Sequence, residues 1–114
     1  MKILLVDDST KLRTEINRFL QEEDIEISEA ENGEQALEKI RQEKFDLLIT
    51  DYQMPKMNGF ELIKHVLADP QLTEMRVILM STYAAEDLKI PERVGYCDKN
   101  ELTKLKGMIK KEAQ

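Results

Sequence analysis

The chain alternates short, continuous apolar runs with stretches of helical periodicity. Ile3-Leu4-Leu5-Val6 is apolar throughout and is cut off at once by Asp7 and Asp8, the mark of a strand buried on both faces. Leu12, Ile16, Phe19 and Leu20 then recur at i, i+4, i+7 and i+8. This spacing predicts an amphipathic helix from about Thr10 to Glu23, with Ser9 as its N-cap. Ile25 and Ile27 alternate with polar residues as a second strand would, Asn32-Gly33 signals a turn, and Ala36, Leu37 and Ile40 mark a second helix ending near Glu43. Phe45 to Thr50 reads as a third strand, again stopped by an aspartate, Asp51. A third helix follows Asn58-Gly59 and carries Phe60, Leu62, Ile63, Val66 and Leu67, with Pro70 just beyond it. Val77 to Met80 is a fourth strand ending at Ser81, and Val94 to Cys97 a weaker fifth strand ending near Lys99. Leu102, Leu105, Met108 and Ile109 mark the last helix.

Strands that alternate with helices imply βαβ units and a parallel sheet covered on both faces. The expected fold is therefore a doubly wound α/β domain. Right-handed crossovers bring the C-terminal ends of all its strands to one rim, and ligands of such sheets bind beyond that rim.

The residues sent to the rim are chemically specific. They include Asp7, Asp8, Asp51, Ser81 and Lys99. Carboxylates this close repel one another and need a cation to stay ionised together. A hard divalent ion with oxygen ligands meets that need, and Mg²⁺ is the usual choice where phosphate is also handled. A carboxylate can act as nucleophile toward phosphorus, and a lysine and a hydroxyl can hold the remaining phosphoryl oxygens. Read singly, Asp7 and Asp8 could cap the first helix and Asp51 could end a strand. The joint pattern carries the chemistry.

Composition narrows the class without changing this picture. The 114 residues suit one domain and carry a net charge of −6, which argues against direct binding to nucleic acid. Lys99, Lys104, Lys106, Lys110 and Lys111 are interleaved with Glu101 and Glu112 and read as a solvated face. No run approaches the ~18 apolar residues of a membrane span, and the apolar run after Met1-Lys2 is too short for a signal peptide. A single cysteine, Cys97, permits no internal disulfide and suits the cytoplasm. The only histidine, His65, falls inside the third helix.

The chain resembles a response-regulator receiver domain, similar to a stand-alone chemotaxis regulator. The resemblance rests on Lys2 to Ser9, Glu29 to Leu37, Asp46 to Gly59 with its Asp-x-x-Met-Pro-x-x-x-Gly signature, and Val77 to Ser81. It implies a five-stranded sheet in the order 2-1-3-4-5. It also implies that Asp51 is the phosphoacceptor, and that Asp8, Asp51 and the backbone carbonyl of Gln53 ligate Mg²⁺ while Asp7 holds a water of that ion. Ser81 would bond a phosphoryl oxygen, Lys99 would pair with it, and Tyr96 would be the aromatic whose rotamer reports the event. Read alone, Tyr96 is an ordinary edge-strand aromatic. Gln53 and Tyr83 flank the pocket and would tune the phosphoryl lifetime.

Two departures from the family pattern stand out. Lys99 is followed by Asn100 where the family usually has proline, often cis. A cis bond without proline costs about 2.5–4 kcal/mol, so a trans peptide is expected, with Asn100 as N-cap of the last helix. The interval from Ser81 to Lys99 is also short by roughly one helical turn. Tyr83 to Pro91 must hold the fourth helix, and an interior proline costs about 3 kcal/mol. A single short or irregular turn is expected there.

The leading reading is one receiver domain over residues 1–114, with no output domain after the last helix. It would be phosphorylated by a histidine kinase or phosphotransfer protein and would signal as a monomer to a downstream protein. It would not be a turnover enzyme. The competing reading is a receiver-like interaction module that no longer uses phosphorylation. A phosphohydrolase is disfavoured, because such enzymes prefer Asp-x-Asp at the first strand where this chain has adjacent aspartates.

Overall fold

The computed structural model describes residues 1–83 and 85–112. Five strands, β1 (Lys2–Val6), β2 (Glu26–Ala30), β3 (Leu47–Asp51), β4 (Arg76–Ser81) and β5 (Val94–Asp98), form one parallel sheet in the order β2-β1-β3-β4-β5. Helices α1 (Thr10–Phe19), α2 (Gly33–Gln42), α3 (Gly59–Ala68) and α4 (Leu102–Glu112) cover it. The doubly wound fold and strand order expected from the sequence are both present.

Each central strand is buried on both faces, so alternate residues feed two cores. Leu4, Val6, Leu48, Val77 and Leu79 pack against Ala36, Leu37 and Ile40 of α2 and Leu62, Ile63 and Val66 of α3. Ile3, Leu5, Leu47, Ile49, Ile78 and Met80 pack with Ile16, Leu20, Leu105 and Ile109 on the side of α1 and α4. Truncating one of these leucines to alanine would cost about 2–5 kcal/mol.

Local chemistry starts the first three helices. Ser9 Oγ accepts from the Leu12 amide at 3.1 Å, and Asn32 Oδ1 accepts from Gln35 at 2.9 Å. Asn58 and Glu61 form a reciprocal capping box.

Several details differ from expectation. α1 ends at Phe19 with Leu20 as its C-cap, four residues before the expected Glu23. Continuing it would put Glu22, Glu23 and Asp24 at the negative end of the helix dipole. Phe19, placed on the apolar stripe by its spacing, is 38% exposed, with the Lys106 ammonium 5.4 Å from its ring. Arg13 takes the inward position beside Ile16 and Leu20 instead. Asn100 does not cap α4. Its amide donates to Asp98 Oδ1 at 2.8 Å, and the carbonyl of Glu101 accepts the first helical bond, from Leu105.

The expected short turn between β4 and β5 is a single 3₁₀ turn, Ala85–Asp87; Ala84, in the same interval, lies outside the described residues. Leu88 and Ile90 tuck partly into the core beside it. The peptide between Lys99 and Asn100 is trans.

Candidate functional site

The site is assembled by a stagger across neighbouring strands. Val6 pairs with Thr50, Asp51 with Met80, and Ser81 with Asp98. The residues one step beyond each pairing therefore line up along the rim. Asp7 stands beside Asp51, Ser81 follows Met80, and Lys99 follows Asp98.

Asp7, Asp8 and Asp51 each bring a carboxylate oxygen within 4.8 Å of the others. Asp7 and Asp51 are buried and Asp8 is exposed. Asp8, Asp51, Gln53, Ser81, Thr82, Tyr83 and Lys99 line an open hollow over the cluster. The Lys99 ammonium enters from the β5 side, 2.8 Å from Asp51 Oδ2 and 3.2 Å from Asp7 Oδ2. Burial pushes the Asp51 carboxyl above its usual range, the Lys99 bond pulls it back, and the charge of Asp7 pushes it up again. Burial works against the Lys99 ammonium, but its bond to Asp51 and the nearby charges raise its pKa overall. Such a pocket disfavours an unpaired anion and welcomes further positive charge.

Asp7 is held on every side. Its amide donates to Ala30 O at 3.1 Å, its Oδ1 accepts from the Ser9 amide at 2.9 Å, and its carbonyl accepts from Arg13 Nη1. Asp51 is fixed from below by close packing. A Cβ on Gly59 would fall 2.2 Å from the Asp51 carbonyl oxygen, so only glycine lets α3 start this close. The loop after Asp51 is closed at Tyr52, whose amide donates to Met80 O at 2.9 Å and whose carbonyl accepts from Gly59 at 2.8 Å. Within it Lys56 adopts a left-handed conformation, φ 67°.

Tyr83 ties the far wall together. Its amide donates to Ser81 Oγ at 2.9 Å, and its hydroxyl accepts from Gln53 Nε2 at 3.1 Å. Its ring meets Tyr52 edge-on at 5.8 Å, and its carbonyl accepts from the Tyr96 hydroxyl.

Every residue singled out from the sequence can now be placed. Asp7, Asp8, Asp51 and Lys99 converge, and Gln53 and Ser81 line the same hollow. Tyr96 is not among the lining residues and bonds the wall through Tyr83. Sequence reasoning missed Thr82 and Arg13. Arg13 left a legible signal, since it lies three residues before Ile16 and seven before Leu20, on the stripe those residues bury.

Residues 3–94 match the family model described as the response regulator receiver domain. The chain belongs to that family. Receiver domains are signalling modules of two-component systems that interact with histidine kinases and downstream targets, and they bind Mg²⁺ at an acidic pocket. Tyr96 and Lys99 of this receiver lie beyond the matched span. It is 40% identical over 96 residues to the two-component response regulator ORR3 of rice, an alignment covering 83% of this chain and 70% of that protein. It is 36% identical over 88 residues to the chemotaxis protein CheY of Pseudomonas aeruginosa, covering 76% and 71%. It also matches the gliding motility regulatory protein of Myxococcus xanthus at 34% identity, covering 78% of this chain but only 12% of that protein. Among solved structures, the response regulator TrrA of Thermotoga maritima, in complex with Mg²⁺-BeF, superposes with a TM-score of 0.82. The two are 33% identical, with 97% of each chain covered. No helix among the described residues is long and apolar enough to cross a membrane.

Proposed function

We propose that this receiver accepts a phosphoryl group on Asp51 from the phosphohistidine of a histidine kinase or phosphotransfer protein. One observation carries the reading. The Lys99 ammonium bonds Asp51 at 2.8 Å inside a cluster where Asp7 and Asp8 complete three convergent carboxylates.

A carboxylate oxygen of Asp51 attacks phosphorus in line with the scissile bond. The P–N bond breaks, its electron pair returns to the donor's imidazole, and an acyl phosphate forms on Asp51. Lys99 moves its bond from the carboxylate to a phosphoryl oxygen, and the Ser81 hydroxyl donates to another. The donor set fits Mg²⁺, because it is made of hard oxygens, two of them on buried carboxylates that repel each other. Asp8, Asp51 and the Gln53 carbonyl, beside Asp7, would hold the ion, which would supply the charge neutralisation that phosphoryl transfer requires. Tyr96 reads the event through the Tyr83 carbonyl. The domain acts in the cytoplasm as a monomer and signals by contact with a downstream protein.

The test is intact mass after incubation with Mg²⁺ and acetyl phosphate. A gain of one phosphoryl group, lost in Asp51→Asn, is the expected result. Without that gain the phosphoacceptor reading is wrong. What would stand is a receiver-like interaction module that presents the shortened β4–β5 connection, with its single 3₁₀ turn, as a binding surface.

A further inference from the structure

Arg13 is a charged side chain that α1 turns inward, with only 9% of its surface exposed. A guanidinium is always protonated and costly to bury unless its donors are used. Here they are. Nε donates to Glu29 Oε1 at 3.0 Å, Nη2 to Thr10 Oγ1 at 3.3 Å, and Nη1 to the backbone carbonyl of Asp7. Glu29 is itself braced, because Asn17 Nδ2 donates to its Oε2 at 3.1 Å and Lys39 Nζ to its carbonyl at 2.7 Å. The charge of Arg13 is thus cancelled by Glu29, and what it delivers to the rim is geometry.

We infer that Arg13 is a positioning residue for the Mg²⁺ site: clamped to Glu29, it fixes the Asp7 carbonyl and so the direction in which the chain presents Asp8. The carbonyl it holds belongs to the peptide that joins Asp7 to Asp8. The other polar groups of Asp7 are spoken for by Ala30, Ser9 and Lys99. Among the described residues Asp8 has no such scaffold, being exposed at the start of the turn into α1. The orientation of that one peptide therefore decides where its carboxylate points. Lysine could keep the charge but could not span Glu29, Thr10 and the carbonyl with one planar fork.

The inference rests on the Mg²⁺-dependent reading of the site, and the experiment separates the two. Mg²⁺ is titrated into the whole chain well below the melting temperature, following the backbone amide shifts of Asp8 and Gln53. Supporting partners behind metal ligands contribute about 10–100-fold to affinity. Arg13→Lys is expected to weaken Mg²⁺ binding by at least about tenfold, and to speed hydrogen exchange at Asp8 in the metal-free protein. Glu29→Gln, at a side chain 37% exposed, is expected to weaken binding by a smaller factor. Unchanged affinity in a folded Arg13→Lys protein overturns the assignment. Should that variant fail to fold, unchanged affinity in Glu29→Gln overturns it instead. A wild-type chain that shows no Mg²⁺-dependent shift loses the reading of the site as well. Normal binding by the wild type, matched by the variants, removes only the role of Arg13.

Discussion

The ammonium of Lys99 lies 2.8 Å from Oδ2 of Asp51 and pulls back a carboxyl that its own burial pushes toward protonation. One lysine thereby favours the ionised acceptor and stands where phosphoryl charge would arrive. Removing a preorganised donor of this kind costs about 10²–10³-fold in rate. Lys99→Ala should slow Asp51 phosphorylation by at least about a hundredfold. Mg²⁺ affinity should be unchanged or higher, since a competing cation is gone. Single-turnover mass spectrometry and a Mg²⁺ titration measure the two effects.

The upward shift of Asp51 fixes the sign of a pH dependence. Between the ordinary value of 3.8 and its raised folded value, the folded protein binds more protons than the unfolded chain. Stability of the metal-free protein contributed by this group therefore falls as pH rises through that window. Phosphorylation should run the opposite way, slowing as the pH drops and protons compete for the Asp51 carboxylate. Chemical denaturation without metal and initial phosphorylation rates, each followed from pH 4 to pH 8, should show the two trends.

Repulsion within the aspartate cluster predicts a response to metal. At a hundredfold excess over Kd, Mg²⁺ should stabilise the fold by about 2.7 kcal/mol, and Asp8→Asn should raise the metal-free melting temperature while blunting that gain. Scanning calorimetry with and without Mg²⁺ checks both. No change in either would mean that the three carboxylates do not repel one another.

Gly59→Ala should be costly although the added group is one methyl. The new Cβ would meet the Asp51 carbonyl at 2.2 Å and the Tyr52 Cα at 3.0 Å, and backbone atoms cannot step aside as a side-chain tip can. A loss of about 1–3 kcal/mol in urea denaturation is expected, together with slower phosphorylation, because the strand end must shift.

Much of this was legible in the sequence because one physical pattern repeats. Buried central strands such as Ile3-Leu4-Leu5-Val6 read as apolar runs, and each ends where a polar rim residue begins. The cap Ser9 is equally plain, since its side chain serves the adjacent helix end, whereas the capping roles of Asn32 and Asn58 emerge only in the structure. Legibility failed where burial is partial or where a polar side chain does an inward job. The edge strand β2 starts at Glu26 and runs on to Ala30, beyond the alternation of Ile25 and Ile27, since half-buried positions tolerate Ser28 and Glu29. Phe19 fits the apolar stripe by its spacing yet lies at the exposed edge, while Arg13 lies on the buried stripe but, being charged, reads as surface. Asn100 looked like a cap by residue type, yet the Asp98 carboxylate had already claimed its amide.

Tyr52 closes the loop after the acceptor at both ends, to Met80 on the sheet and to Gly59 at the start of α3. Residues 53–58 are therefore pinned at both ends by one residue, and they are tied once more where the Met57 carbonyl accepts from the Gly33 amide at 3.3 Å. In such a layout the strand end that carries Asp51 and the loop that carries Gln53 are anchored to different elements, β4 and α2. A side chain at position 33 would therefore press on Met57 and disturb the loop from the α2 side.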